Sequence, residues 1–147
     1  MLEPLLATPN LTRTSIVRFR YFDPGQQTAV DGEINSTADV VELIGLVLRM
    51  PGANSPAVEL SGHDGSSLVV GVSGPRAVLL WTDATGRAAH SVAPSTDLIG
   101  EGVVFDYFGA YTEMPAAYSV SVDVAVAAAA EYVTTGRPPA VLMAMDS

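Results

Sequence analysis

The sequence predicts an α+β fold, a mainly antiparallel sheet with two principal helices packed on one face. Three observations carry this. Most apolar residues fall in short runs bounded by glycine, proline and aspartate, as strands do. Two stretches show helical periodicity. The strand-like runs are grouped together and do not alternate singly with helices, which favours a meander over a parallel sheet.

The elements follow in order. From Ser15 to Phe22 the chain alternates, with Val17, Phe19 and Tyr21 on one side and Arg18 and Arg20 on the other, the pattern of a half-buried strand. Asp23-Pro24-Gly25 turns it into a second arm over Thr28 to Ile34. Val40, Leu43, Ile44, Val47 and Leu48 then form an apolar helical stripe, capped by Asn35 or Ser36 and stopped by Pro51-Gly52. Ala57 to Leu60, Leu68 to Val72 and Ala77 to Thr82 read as a β-meander, with a further short strand at Ala88 to Val92 and another at Val103 to Phe108. The second helix places Val122, Ala125, Val126, Ala129 and Val133 on one face behind Ser121 or Asp123. Gly136 suits its left-handed cap, and Pro138-Pro139 forbids continuation. Ala140 to Met145 reads as a final strand.

With 147 residues and 48% hydrophobic content, the chain suits one domain spanning 1–147, with 1–14 expected to be loosely ordered. Cysteine is absent, which removes disulfides, thiol catalysis and cysteine-type zinc sites. The N-terminal stretch lacks the charge and apolar run of a secretory leader, so a cytoplasmic location is expected. The longest purely apolar run, Val124 to Ala130, falls far short of the roughly 20 residues that cross a bilayer.

Charge is the more informative property. Sixteen acids against seven basic residues give a net charge of −9, and all the basic residues are arginine. An anionic surface of this kind opposes nucleic acid and anionic lipid and favours a basic protein partner. Arg13, Arg18 and Arg20 gather early in the sequence. Between Arg87 and Arg137, by contrast, Asp97, Glu101, Asp106, Glu113, Asp123 and Glu131 meet no arginine. The sequence is therefore electrostatically lopsided.

Catalytic motifs are missing. The two histidines, His63 and His90, lack metal-ligand spacing, so no metal or other cofactor is expected. Gly71-Val72-Ser73-Gly74-Pro75 fits a hairpin turn better than a nucleophile elbow, and without lysine neither Schiff-base chemistry nor a phosphate-loop cation is available. Asp106 is unusual because it interrupts the apolar run Val103 to Phe108. Three readings are open for it: a charge guarding a sheet edge, an acid/base partner of Glu113 in a small hydrolase, or a binding residue among the neighbouring tyrosines.

The order of several motifs adds a further line. Val78-Leu79-Leu80-Trp81-Thr82-Asp83 is followed by Val104-Phe105-Asp106-Tyr107-Phe108-Gly109. Thr112-Glu113-Met114-Pro115 comes next, read as a turn, and then Ala127 to Tyr132 with Thr135-Gly136-Arg137-Pro138-Pro139. Over roughly Ser15 to Met143 this resembles the first immunity-protein family of bacterial polymorphic toxin systems. One departure lies in the final strand, where tryptophan is absent. The resemblance implies an α+β fold, no enzymatic role, and tight binding of a cognate toxin domain, frequently a nucleic-acid deaminase or a nuclease. Within that reading, Asp97, Glu101, Asp106, Tyr107, Tyr111 and Glu113 are the partner-binding residues expected to meet the toxin's basic surface. A rival reading is an acidic secretion chaperone or adaptor for an effector protein.

Overall fold

A computed structural model describes residues 16–94 and 102–144. It contains an eight-stranded antiparallel sheet, two helices and a separate two-stranded hairpin, which is the α+β arrangement the sequence predicts. The expectation of loose order at residues 1–14 falls outside the described residues.

Strands β1 (Val17–Asp23) and β2 (Thr28–Ile34) pair in antiparallel register from Val17 opposite Ile34 to Asp23 opposite Thr28. Their turn forms because Oδ1 of Asp23 accepts from the N–H groups of Gly25 and Gln26, at 2.9 and 3.2 Å, the local bonding that makes aspartate a turn residue. Helix α1 (Thr37–Leu48) starts where Oγ of Ser36 accepts from the Asp39 N–H at 3.1 Å. It buries Val40, Leu43, Ile44 and Val47, all members of the predicted stripe.

The meander is β3 (Val58–Ser61), β4 (Ser67–Ser73), β5 (Arg76–Thr82) and β6 (Ala88–His90). After it come β7 (Val103–Tyr107), β8 (Ala110–Met114), a 3₁₀ turn at Ala116–Tyr118, β9 (Val120–Ser121), α2 (Val122–Thr135) and β10 (Met143–Ala144). The large sheet runs β10-β6-β5-β4-β3-β1-β2, and β9 pairs with the start of β5. Helix α2 is capped by Ser121, whose Oγ accepts from the Val124 N–H, and closes at Gly136 with φ +73°. That left-handed conformation costs glycine little.

Both helices cover one face of the sheet. Their buried side chains pack with Val17, Leu60, Leu68, Val70, Val72 and Leu79 in one apolar cluster, and the alanines of α2 keep its backbone close to the strands. Tyr132 is fully buried there, its hydroxyl 2.7 Å from Oγ of Ser66, which in turn donates to Asp64 at 2.6 Å. Burial pushes the Tyr132 phenol up, while the Ser66 donors hold the Asp64 carboxyl below its usual range.

On the opposite face lies the β7–β8 hairpin. Val103 and Phe105 pack against Ala57 and Val78 in a second cluster. Gly71 in β4 makes room for this, because a Cβ at that position would collide with the Phe105 ring. The central strands are thus buried on both sides, which explains why they read as compact apolar runs with no clean alternation.

Four local expectations need correction. The strand beginning at Val103 ends at Tyr107, because Phe108 adopts φ +50° and turns the chain. Thr112-Glu113-Met114 belongs to strand β8, and the chain leaves it only at Pro115. The strand expected over Ala88 to Val92 is confined to Ala88–His90, since at Ser91 the side-chain Oγ accepts from the Leu79 N–H where a strand would offer its carbonyl, and the same hydroxyl donates to Tyr118 O. After Pro138-Pro139 the chain makes a further turn at Ala140 and Val141, and only Met143–Ala144 pairs with β6. Met145 lies outside the described residues.

Gly71→Ala should destabilise the protein by roughly 1–3 kcal/mol by overpacking, measured by urea unfolding. Shrinking the opposing ring with Phe105→Leu in the same chain should return part of that loss. A second expectation concerns acid. Turn bonds from Thr85 and Arg87 hold Asp83 at about 2, and Asp64 is likewise lowered. Both folded-state values lie below the unfolded value of about 3.9, so their contribution is present above pH 4 and is lost as pH falls towards 2. Asp83→Asn should flatten that part of a stability profile measured between pH 2 and 5.

Candidate partner-binding surface

The hairpin turn is Phe108-Gly109. Both residues have positive φ, +50° and +92°, and they join the paired residues Tyr107 and Ala110, which is the geometry of a two-residue type I′ turn. Glycine at the second position is favourable. Phenylalanine at the first costs about 1–2 kcal/mol, so its ring must be held by contacts. It meets the Tyr107 ring edge-on at 5.0 Å, and the Arg20 guanidinium lies 5.0 Å over its face. Oδ2 of Asp106 also accepts from the Gly109 N–H at 3.2 Å.

Asp106 ties the hairpin down through its backbone as well. Its N–H donates to Ser55 O at 2.9 Å and its carbonyl accepts from the Ala57 N–H at 2.8 Å. These groups therefore point away from β8, and Asp106 opposite Tyr111 is a non-hydrogen-bonded pair. The alternation makes Val104 opposite Glu113 the same kind. Side chains are closest in such pairs, and the N–H and C=O groups of Tyr111 and Glu113 face the outer edge of β8.

The expected site residues sort accordingly. Asp106, Tyr111 and Glu113 share the outer face of the hairpin, where Tyr111 is 69% exposed. Tyr107 does not join them: it lies on the inner face with Phe105, half-covered at the mouth of a cleft against the sheet. Burial, then the Glu59 carboxylate, pushes its phenol up, and Arg20 opposes them. Asp97 and Glu101 fall outside the described residues. Neither β7 nor β8 contains a basic residue.

The edge-guard reading of Asp106 meets an obstacle, because β7 has neighbours on both sides and β8 is the outer strand. The early arginines are also less isolated than the sequence suggests. Arg18 lies 3.6 Å from Glu33 and 4.0 Å from Asp31, and Arg20 lies 3.9 Å from Glu59. His90 stacks on Tyr118 at 3.9 Å. Among the described residues no group of three or more His, Cys, Asp or Glu side chains could hold a metal ion. Nor is any helix among them long and apolar enough to cross a membrane.

Sequence reasoning missed Glu59 and the roles of Arg20 and Phe108. Part of a signal was available in the alternation of Tyr111 and Glu113 after Gly109, but phenylalanine at the first turn position does not announce a turn. Pairing of Arg20 with Glu59 joins residues far apart in sequence and could not be read there.

A family model described as immunity protein Imm1 matches residues 29–145. That span runs from the second residue of β2 through both helices and the hairpin. The chain belongs to the Imm1 family. No curated protein matches the sequence. Membership makes this an immunity protein, and an immunity protein has a toxin as its partner.

For the Imm1 hairpin, Phe108→Asn should relieve the turn, since asparagine tolerates positive φ, and remove the ring contacts with Tyr107 and Arg20. The two effects are of similar size, so the unfolding free energy should change by less than about 1 kcal/mol. Thermal and urea unfolding check this. A loss of several kcal/mol would show that the ring carries the hairpin.

Proposed function

We propose that this Imm1 protein acts in the cytoplasm of the toxin-producing cell as a non-catalytic inhibitor. Its target is a toxin domain that acts on nucleic acid, a deaminase or nuclease. It docks the outer face of β7–β8 against the toxin's basic active-site surface. The observation that carries this reading is the convergence of Asp106, Tyr111 and Glu113 on one exposed hairpin face without a basic neighbour in either strand.

A nucleic-acid enzyme needs a positive groove, and an acidic partner approaches such a groove quickly while opposing its substrate. Tyr111 supplies a large exposed ring with little entropy to lose on binding. Asp106 contributes charge but is also occupied in the turn, so Glu113 and Tyr111 are the informative positions for mutation.

Tyr111→Ala combined with Glu113→Lys should weaken capture of the toxin domain encoded beside this gene by at least about 30-fold, the size of a hot-spot loss, with Tm unchanged. Isothermal titration and toxin-activity assays measure both effects. The control Glu42→Lys on α1, on the far side of the sheet, should bind as the parent does. Full affinity and full protection in the double variant would reject this surface.

A further inference from the structure

Beside the hairpin is a cleft of about 370 Å³ between β8, the inner face of β7 and the sheet. Val69, Leu80 and Phe105 form apolar walls, Tyr107 and Thr82 stand at its borders, and Glu59 is its one ionisable carboxylate. Its volume lies near the lower end of the roughly 300–1,000 Å³ of small-ligand pockets, enough for one long side chain and too little for a helix or strand.

We infer that this cleft receives a single arginine or lysine side chain of the toxin, its apolar stem against Val69 and Leu80 and its charged head on Glu59. The inference rests on the inhibitor reading above and names a specific contact within it.

Glu59 is well suited to the task. Its side chain is 23% exposed, so its charge is shielded from water more than that of a free surface acid. The existing ion pair with Arg20 is long, 3.9 Å between Nη1 and Oε1. Arg20 also has the Phe108 ring beneath its guanidinium, so an incoming cation can take a share of Glu59 without stranding Arg20. Glu59 and Tyr107 both line the cleft, so the carboxylate stands at its mouth, with Arg20 beside it. Basic side chains bury their stems on apolar surface while the head seeks an acceptor, and these walls and this carboxylate supply both. A protein of net charge −9 and a basic toxin bring the two groups together.

Two measurements test the contact. In the first, argininamide and lysinamide are titrated into the full-length protein, with norleucinamide as the neutral control. Methyl resonances of Val69 and Leu80 should shift at millimolar ligand with the basic amides only, and Glu59→Gln should abolish the shift. Shifts with norleucinamide as well, or none with any amide up to about 50 mM, would overturn the proposal. In the second, Glu59→Gln and the cleft-filling Thr82→Tyr should each weaken toxin capture about tenfold with Tm retained. Unchanged capture in both, alongside weakened capture in Tyr111→Ala/Glu113→Lys, would overturn the cleft contact and leave the hairpin as the docking surface. Unchanged capture in all variants would reject both.

Discussion

Packing of Phe105 over the bare backbone of Gly71 is the contact on which the candidate surface depends. The ring is 1% exposed and seats the β7–β8 hairpin on the sheet face that the helices leave open. Without it, the hairpin would lose its main apolar seat and be held chiefly by the two backbone bonds of Asp106 to Ser55 and Ala57, and two strands with so little support are marginal in water. With it, the hairpin gains a floor on its inner side and presents its outer side to solvent. The turn is fixed by the same logic: Asp106 bonds it from within, and Arg20 holds Phe108 from β1.

This arrangement divides the molecule by task. Helices α1 and α2 build the larger apolar cluster and, through Tyr132 and Ser66, pin the β3–β4 turn. The hairpin face carries the exposed ring of Tyr111 beside the carboxylates of Asp106 and Glu113. Acidity by itself says little beyond solubility. It acquires meaning here because Arg18 and Arg20 are taken up by Asp31, Glu33 and Glu59 across neighbouring strands, whereas β7 and β8 contain no basic residue.

Much of the fold was legible because local chemistry specifies it. Ser36 and Ser121 cap the helices, Gly136 ends the second one, and the three meander runs sit where their apolar blocks place them. The second layer was not legible. Nothing in Val103 to Phe108 says that its partner is the next few residues rather than the main sheet, and the turn uses a phenylalanine where asparagine or glycine would announce it. Of the site, the grouping of Asp106, Tyr111 and Glu113 follows from alternation once β8 is recognised. The inward turn of Tyr107 follows from the same alternation. Glu59 came into view only with the fold, since its neighbours Arg20 and Tyr107 lie on other strands.

Amide hydrogen exchange of the immunity protein, free and saturated with its toxin domain, reads the docking surface residue by residue. Docking through the hairpin should give new protection of the outward-facing amides of Tyr111 and Glu113 on β8, with α1 and α2 unchanged. Protection confined to the helices, with β8 exchanging as in the free protein, would contradict it.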